Sequence, residues 1–186
     1  MPITAAPTTG AVARYSFRRS VLESERTYSL YPDRLVVEEN GVPIQSHDLE
    51  RVRRVHLKFE RSKQRAYFQC LVDTDGGRVS LRHVHWGGIA AFEDRRETYT
   101  PFIRALLAQL ANRPGVQFRA GSLLNFVSAI VGLPVMLLLG GLSAVMGLWP
   151  GALLAALLVF MCVSVLRRSR PRGFDPLQPP EAFLPL

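Results

Sequence analysis

One uninterrupted stretch without a charged residue or a histidine constrains this chain more than any other feature. The stretch runs from Ala120 to Leu166, which is 47 residues of a 186-residue chain. As a single helix it would be about 70 Å long, whereas the hydrocarbon core of a membrane is about 30 Å thick. Two helices of about 20 residues each, joined by a tight turn, match that thickness. The sequence therefore predicts a transmembrane helical hairpin over residues 120–168 and argues against a soluble single domain.

Small residues mark both the turn of this hairpin and a candidate packing stripe. We place the first span near Ser122–Leu142 and the second near Leu148–Arg168. The predicted turn uses Gly140, Gly141, Ser143 and Gly147. Small residues at every fourth position let helix backbones approach closely, either within the hairpin or against another subunit. The candidate helix-packing residues at that spacing are Ser143, Gly147, Gly151 and Ala155.

Basic residues flank the hairpin at its outer ends and are absent from its turn. The positive-inside rule therefore predicts a two-pass protein of the cell inner membrane with both termini in the cytoplasm. Residues 1–13 lack a basic segment and a continuous apolar segment, so they read as a flexible leader and not as a secretory signal. The flanking arginines are Arg113, Arg119, Arg167, Arg168, Arg170 and Arg172.

Residues 14–113 show strand-like segments followed by one helix. Alternating apolar residues predict about seven antiparallel strands, and Asn40-Gly41 and Asp75-Gly76-Gly77 are typical hairpin turns. Thr100-Pro101 resembles a helix start, with residues 85–99 unassigned and an earlier start left open. The apolar stripe of the helix is Phe102, Ile103, Leu106, Leu107 and Leu110. This order predicts an α+β module with the helix covering one side of the strands.

The first strands of this region resemble the core of bacterial pleckstrin-homology-like domains. The resemblance rests on residues 28–37 (YSLYPDRLVV), the Asn40-Gly41 turn and residues 48–55 (DLERVRRV). It implies that residues 14–113 form a cytoplasmic, pleckstrin-homology-like antiparallel β-barrel whose C-terminal helix plugs one end. It also implies a binding or scaffold fold without a fixed catalytic site.

Basic residues are concentrated in one short segment of this module. Seven fall within fifteen positions, in a chain whose formal net charge is +8. They could hold anionic lipid headgroups, or they could form an ordinary solvated sheet face, and the sequence leaves both interpretations open. The candidate residues for binding an anionic surface are Arg51, Arg53, Arg54, Lys58, Arg61, Lys63 and Arg65.

No segment carries a recognisable catalytic or metal-binding motif. His83 and His85 lie two residues apart, but no cysteine or carboxylate at a familiar ligand spacing accompanies them. Cys70 and Cys162 imply no disulfide. We therefore expect no catalytic residue, no metal, no cofactor and no nucleic-acid partner, and we expect that the protein is not an enzyme.

The C-terminal segment, residues 169–186, is a proline-rich cytoplasmic tail. It carries apolar residues such as Phe174 and Phe183, so it either docks as an extended peptide on the module or a partner, or lies on the headgroups or is disordered. Taken together, the sequence predicts a non-catalytic, membrane-anchored binding or scaffolding module at the cytoplasmic face of the inner membrane. Its expected partners are membrane lipids and a protein in the membrane or at its cytoplasmic face. The alternative is an accessory subunit of a larger integral membrane complex.

Overall fold

A computed structural model describes residues 10–20, 22–61, 66–88 and 91–185. The chain divides into two compact units that are interleaved in sequence. The first unit combines the chain up to Ala120 with the C-terminal segment from Gly173, and the second is Gly121–Arg172. The tail thus belongs to the same unit as the strands.

The first sheet of the first unit is an antiparallel meander of four strands. Its strands are β1 (Ala13–Phe17), β2 (Arg26–Leu30), β3 (Arg34–Glu39) and β4 (Val42–Asp48), in that spatial order. Asn40 and Gly41 have φ values of 53° and 78° between β3 and β4. Two consecutive positive φ values are what a two-residue hairpin turn requires, which explains the Asn-Gly pair.

The second sheet contains three long antiparallel strands and two short additions. The long strands are β5 (Val52–Arg61), β6 (Ala66–Thr74) and β7 (Gly77–Arg82). Strand β10 (Gln117–Ala120) pairs with β5 in parallel, and β11 (Arg172–Gly173) lies next to β10. The strands β1–β7 thus follow the predicted antiparallel series, whereas β10 has no counterpart in the sequence prediction.

A small hairpin and a helix fill the segment that the sequence left unassigned. Strands β8 (Val84–Gly88) and β9 (Ala91–Asp94) form the hairpin, and helix α1 (Arg96–Ala111) follows. The helix begins four residues before Thr100, so Thr100-Pro101 is not its start. Asp94 Oδ1 accepts the backbone N–H of Arg96 at 3.1 Å and satisfies a donor of the first turn instead.

One hydrophobic core joins both large sheets, the helix and the tail. The whole predicted stripe of α1 is buried, together with Tyr99 one turn earlier. Phe183 and Leu184 of the tail, which are 2% and 3% exposed, belong to the same core. The core therefore draws on residues from both sides of the apolar helices in the sequence.

The mixed α+β class is confirmed, but the closed barrel is not. In the ranges that the structure describes, the strands form sheets of four, five and two strands with no closed barrel. The sequence could not settle closure, because alternation within a strand does not reveal which edges pair.

The second unit is a pair of helices long and apolar enough to cross a membrane. Helix α2 (Leu123–Val145) and helix α3 (Trp149–Ser169) contain candidate spans of 21 and 19 residues. The turn between them is Met146–Leu148, where Gly147 has a φ of 72°. The predicted turn was therefore placed too early, since Gly140, Gly141 and Ser143 lie inside α2.

Candidate anionic-surface site

The alternation of β5 sorts its side chains onto two faces of the second sheet. Val55 and Leu57 are fully buried in the core, while Arg54 is exposed and Lys58 is half-buried on the opposite face. A bulge between Val52 and Arg54 interrupts the strict alternation, so Val52 is also buried. The outward positions of β5 are thus Arg54, His56, Lys58 and Glu60.

Neighbouring strands extend this basic face. The parallel register sets Arg119 of β10 beside His56 of β5, and β7 contributes Arg78 and Arg82 through its pairing with β6. Opposed residues of paired strands point to the same side of a sheet. We call the resulting surface the basic sheet face, and its basic members are Arg54, Lys58, Arg78, Arg82 and Arg119.

The basic sheet face has two chemically different ends. Strands β5, β7 and β10 run in the same direction, because β6 is antiparallel to both β5 and β7 and β10 is parallel to β5. Lys58 and Arg82 both lie opposite Gln69, towards the carboxyl ends of these strands. Together with Arg119 they form what we call the exit end, because the chain leaves β10 there.

At the opposite end of the face, an acidic residue neutralises one of the cations. Arg54 and Arg78 both lie opposite Asp73. Arg78 forms an ion pair with Asp73, and its Nη2 donates to Oδ2 at 3.3 Å. This hydrogen bond raises the pKa of Arg78. No such ion pair to Lys58, Arg82 or Arg119 is found among the side chains that the structure describes.

Of the seven residues predicted from the sequence, the four whose side chains the structure describes do not form one surface. Arg51 Nε lies 3.8 Å from Asp48 Oδ2, and Arg53 forms an ion pair with Asp75. Both arginines thus pair with carboxylates near the start of β5. Arg54 and Lys58 lie on the basic sheet face. The side chain of Arg61 and the residues Lys63 and Arg65 fall outside the described part of the chain. Sequence reasoning missed Arg82 and Arg119, although the alternation of β7 is a signal for Arg82.

The buried histidines serve the architecture of the first unit. His83 Nδ1 accepts the backbone N–H of Phe68, and His85 Nδ1 accepts that of Arg18, both at 3.0 Å. Burial lowers the pKa of both side chains, which favours the neutral imidazoles that these hydrogen bonds require. Among the described residues, no group of three or more His, Cys, Asp or Glu side chains could hold a metal ion.

Arg95 connects three segments at the start of α1. Its Nη1 donates to the carbonyl oxygen of Ser16 at 2.7 Å and to Glu25 Oε1 at 2.8 Å, and its Nη2 lies 3.2 Å from Glu93 Oε2. Only 25% of its side chain is exposed. Because these bonds tie β1 to the segments before β2 and α1, Arg95 has a structural role.

Three of the four candidate helix-packing residues lie between α2 and α3. A Cβ atom built on Gly151 would approach Ser143 Oγ to 3.1 Å, and one built on Gly140 would approach the Cβ of Ala155 to 2.8 Å. Gly147 lies in the turn with nothing within 4 Å of such a Cβ. The stripe therefore packs the two helices on each other, and Gly140 is a packing residue that the sequence assigned to the turn.

The tail belongs to the first unit and contains a turn at residues 176–178 and a short 3-10 helix at Glu181–Phe183. Phe174 packs its ring on Phe118 of β10 with 5.9 Å between centroids. Thr100 Oγ1 donates to the carbonyl oxygen of Pro185 at 2.9 Å. Between these two points, Phe183 and Leu184 enter the core. Of the alternatives left open by the sequence, the structure contains the docked peptide.

Comparisons with known proteins found no matching family model, no matching curated protein and no matching solved structure.

Proposed function

We propose that this protein is a non-catalytic, membrane-anchored binding or scaffolding module at the cytoplasmic face of the inner membrane. One observation carries the proposal. The strands, α1 and the tail residues Phe183 and Leu184 share a hydrophobic core, although two helices long enough to span a membrane separate them in sequence. A core shared across two membrane spans supports a topology in which the strands and the tail lie on the same side of the membrane.

The surface of the two apolar helices supports a lipid environment. Residues such as Leu138 and Leu153 are 73% and 72% exposed, and no charged residue lies between Arg119 and Arg167. An exposed apolar surface of this extent is unfavourable in water. Since the arginines lie only at the outer ends of the hairpin, the positive-inside rule favours a cytoplasmic location for the strands and the tail.

A likeness to bacterial pleckstrin-homology-like domains is part of this proposal. The antiparallel series β1–β7 and the later helix with one buried face support it, although the strands lie in separate sheets and not in a closed barrel. The parallel strand β10 is an addition to that pattern. In this proposal, the module binds through its surface, since its interior is filled by apolar side chains and its buried histidines hold backbone groups.

Mapping both termini and the turn tests the topology. Reporters fused before Arg14 and after Leu186 should both indicate the cytoplasm. A cysteine at Met146, which is 67% exposed in the turn, should react with a membrane-impermeant thiol reagent from outside. Ser143→Cys is the matched control: Ser143 faces Gly151 inside the hairpin, so this cysteine should react slowly. Termini on opposite sides would disprove the proposal.

Purification from native membranes then separates the binding module from the accessory subunit. A module anchored by its own hairpin should be recovered in mild detergent without an integral partner at fixed stoichiometry. Recovery of one integral protein in equal amount would favour the accessory subunit instead.

A further inference from the structure

We propose that the exit end of the basic sheet face, formed by Lys58, Arg82 and Arg119, binds the headgroups of anionic phospholipids. This inference rests on the proposed function and names the partner of its binding surface. It differs from a general attraction of a basic protein to a membrane, because it assigns the contact to three residues at one end of one sheet.

The register of the strands brings these three cations together. Lys58 and Arg82 lie in one row of the sheet with Gln69 between them, and Arg119 lies one row away on β10. Neighbouring strands are about 4.8 Å apart, so β10 and β7 are about 14 Å apart across the sheet. Three cations over this width present a patch that several adjacent headgroups can contact.

The charge balance distinguishes this end from the other. Asp73 neutralises Arg78 at the far end of the face, whereas the exit end combines Lys58, Arg82 and Arg119 with one acidic position, Glu60, which the alternation of β5 assigns to the same face opposite Tyr67. Arg51 and Arg53 also pair with carboxylates. The exit end thus has a formal excess of two positive charges, against one at the far end, where Arg54 and Arg78 flank Asp73.

The short connection between β10 and the first apolar helix favours a lipid surface as the binding partner of the exit end. Strand β10 ends at Ala120 and α2 begins at Leu123, so only two residues join the exit end to the first apolar helix. These residues extend over at most about 10 Å, which is close to the Debye length of about 8 Å at physiological salt. The connection holds Arg119 near this distance, and Lys58 and Arg82 approach the headgroups when the exit end of the sheet turns toward them.

Fluorescence quenching in nanodiscs with the full chain tests this assignment. Tyr67 lies on the same face beyond Gln69, so Tyr67→Cys carries a fluorophore at the exit end. Cys162→Ala removes the competing thiol, while burial raises the pKa of Cys70 to about 12 and makes it unreactive. A nitroxide on the headgroup of a neutral lipid serves as the quencher.

We expect stronger quenching in nanodiscs of phosphatidylcholine with phosphatidylglycerol than in phosphatidylcholine alone, and we expect high salt to remove the difference. Lys58→Glu, Arg82→Glu and Arg119→Glu together should abolish it. At low salt each cation changes the ratio of surface-bound to unbound module about fivefold, so the three residues together change this ratio roughly 100-fold. The matched control reverses Arg19, Arg51 and Arg104, which are exposed and lie outside the basic sheet face, so it changes the net charge equally but leaves the exit end intact.

Either of two results would overturn the assignment. The first is quenching that does not depend on phosphatidylglycerol, which would leave an acidic protein segment as the occupant of this face. The second is an equal loss in the control variant, which would mean that only net charge matters. All variants should show the parent's thermal unfolding in phosphatidylcholine nanodiscs. If the anionic effect is absent while both termini still report the cytoplasm, this inference fails and the proposed function stands.

Discussion

His83 and His85 show how single residues link the stability of the first unit to pH. Each imidazole uses Nδ1 as the acceptor for a backbone N–H, which a protonated ring cannot do. Their pKa values are lowered by burial, so the unfolded chain, with a histidine pKa of about 6.5, takes up protons first as the pH falls. The contribution is therefore fully present above about pH 6.5 and is lost below it.

We expect the free energy of unfolding to decrease between about pH 7.5 and pH 5. Replacing both residues by asparagine should flatten this dependence, because Oδ1 can accept the same N–H but cannot be protonated. His47, whose pKa burial also lowers, should account for part of the remaining slope. Denaturant titration in neutral detergent, followed by Trp86 fluorescence after Trp149→Phe, measures the effect. If the free energy of unfolding of the double variant falls with pH as steeply as that of the parent, these two histidines do not cause the pH dependence.

Among the secondary-structure elements, local sequence patterns predicted those whose formation depends mainly on residues close together in the sequence. The strands β1–β7 and the buried stripe of α1 follow from alternation, turn residues and helical spacing. The pairing of β10 with β5 was not predictable in this way, since it joins Gln117–Ala120 to residues 54–57 across several other elements. Arg119 was therefore read only as a flank of the hairpin and not as part of a sheet face.

The helix hairpin gives a second example of what local patterns miss. Three glycines and a serine suggested a turn over residues 140–147, yet α2 continues to Val145. In an apolar helix pair, glycine can serve close packing instead of a turn, and only the partner helix reveals which. Gly140, facing Ala155, is such a residue.

Two adjacent glycines allow a matched test of this packing. Gly140→Leu should separate the helices, because a Cβ there would lie 2.8 Å from the Cβ of Ala155. Gly141→Leu should be tolerated, since nothing lies within 4 Å of its Cβ position. Disulfide formation between cysteines at Ser143 and Gly151 reports the helix separation in detergent. Equal yields in both leucine variants would show that Gly140 does not set the distance.

For the whole molecule, the main consequence is that the apolar helices interrupt one folding unit. Strand β11 lies beside β10, and the Phe174 N–H lies 3.4 Å from the carbonyl oxygen of Phe118. The two points where the chain leaves and re-enters the first unit are thus neighbours in one sheet. The sequence placed the whole module within residues 14–113, but Ala120, Phe183 and Leu184 are also part of its core.

We therefore expect residues 10–120 joined to residues 173–186 by a short glycine-serine linker to fold as a soluble unit. Residues 10–120 without the tail should be much less stable, because the site of Phe183 and Leu184 is left empty. In the linked protein, Phe183→Ala should lower the free energy of unfolding by about 3–5 kcal/mol. Leu177→Ala, at a position 67% exposed in the same tail, should change it by less than about 0.5 kcal/mol.

Denaturant titrations of the linked protein, its two variants and the tail-less fragment provide the comparison. Phe183→Ala should lower the free energy of unfolding of the linked protein towards that of the tail-less fragment, since both leave an apolar cleft exposed beside α1. Such a cleft also predicts concentration-dependent association of the tail-less fragment, which sedimentation would detect. Equal stability with and without the tail would mean that the strands and α1 suffice for the core. The shared-core argument for placing both ends of the chain on one side of the membrane would then be lost.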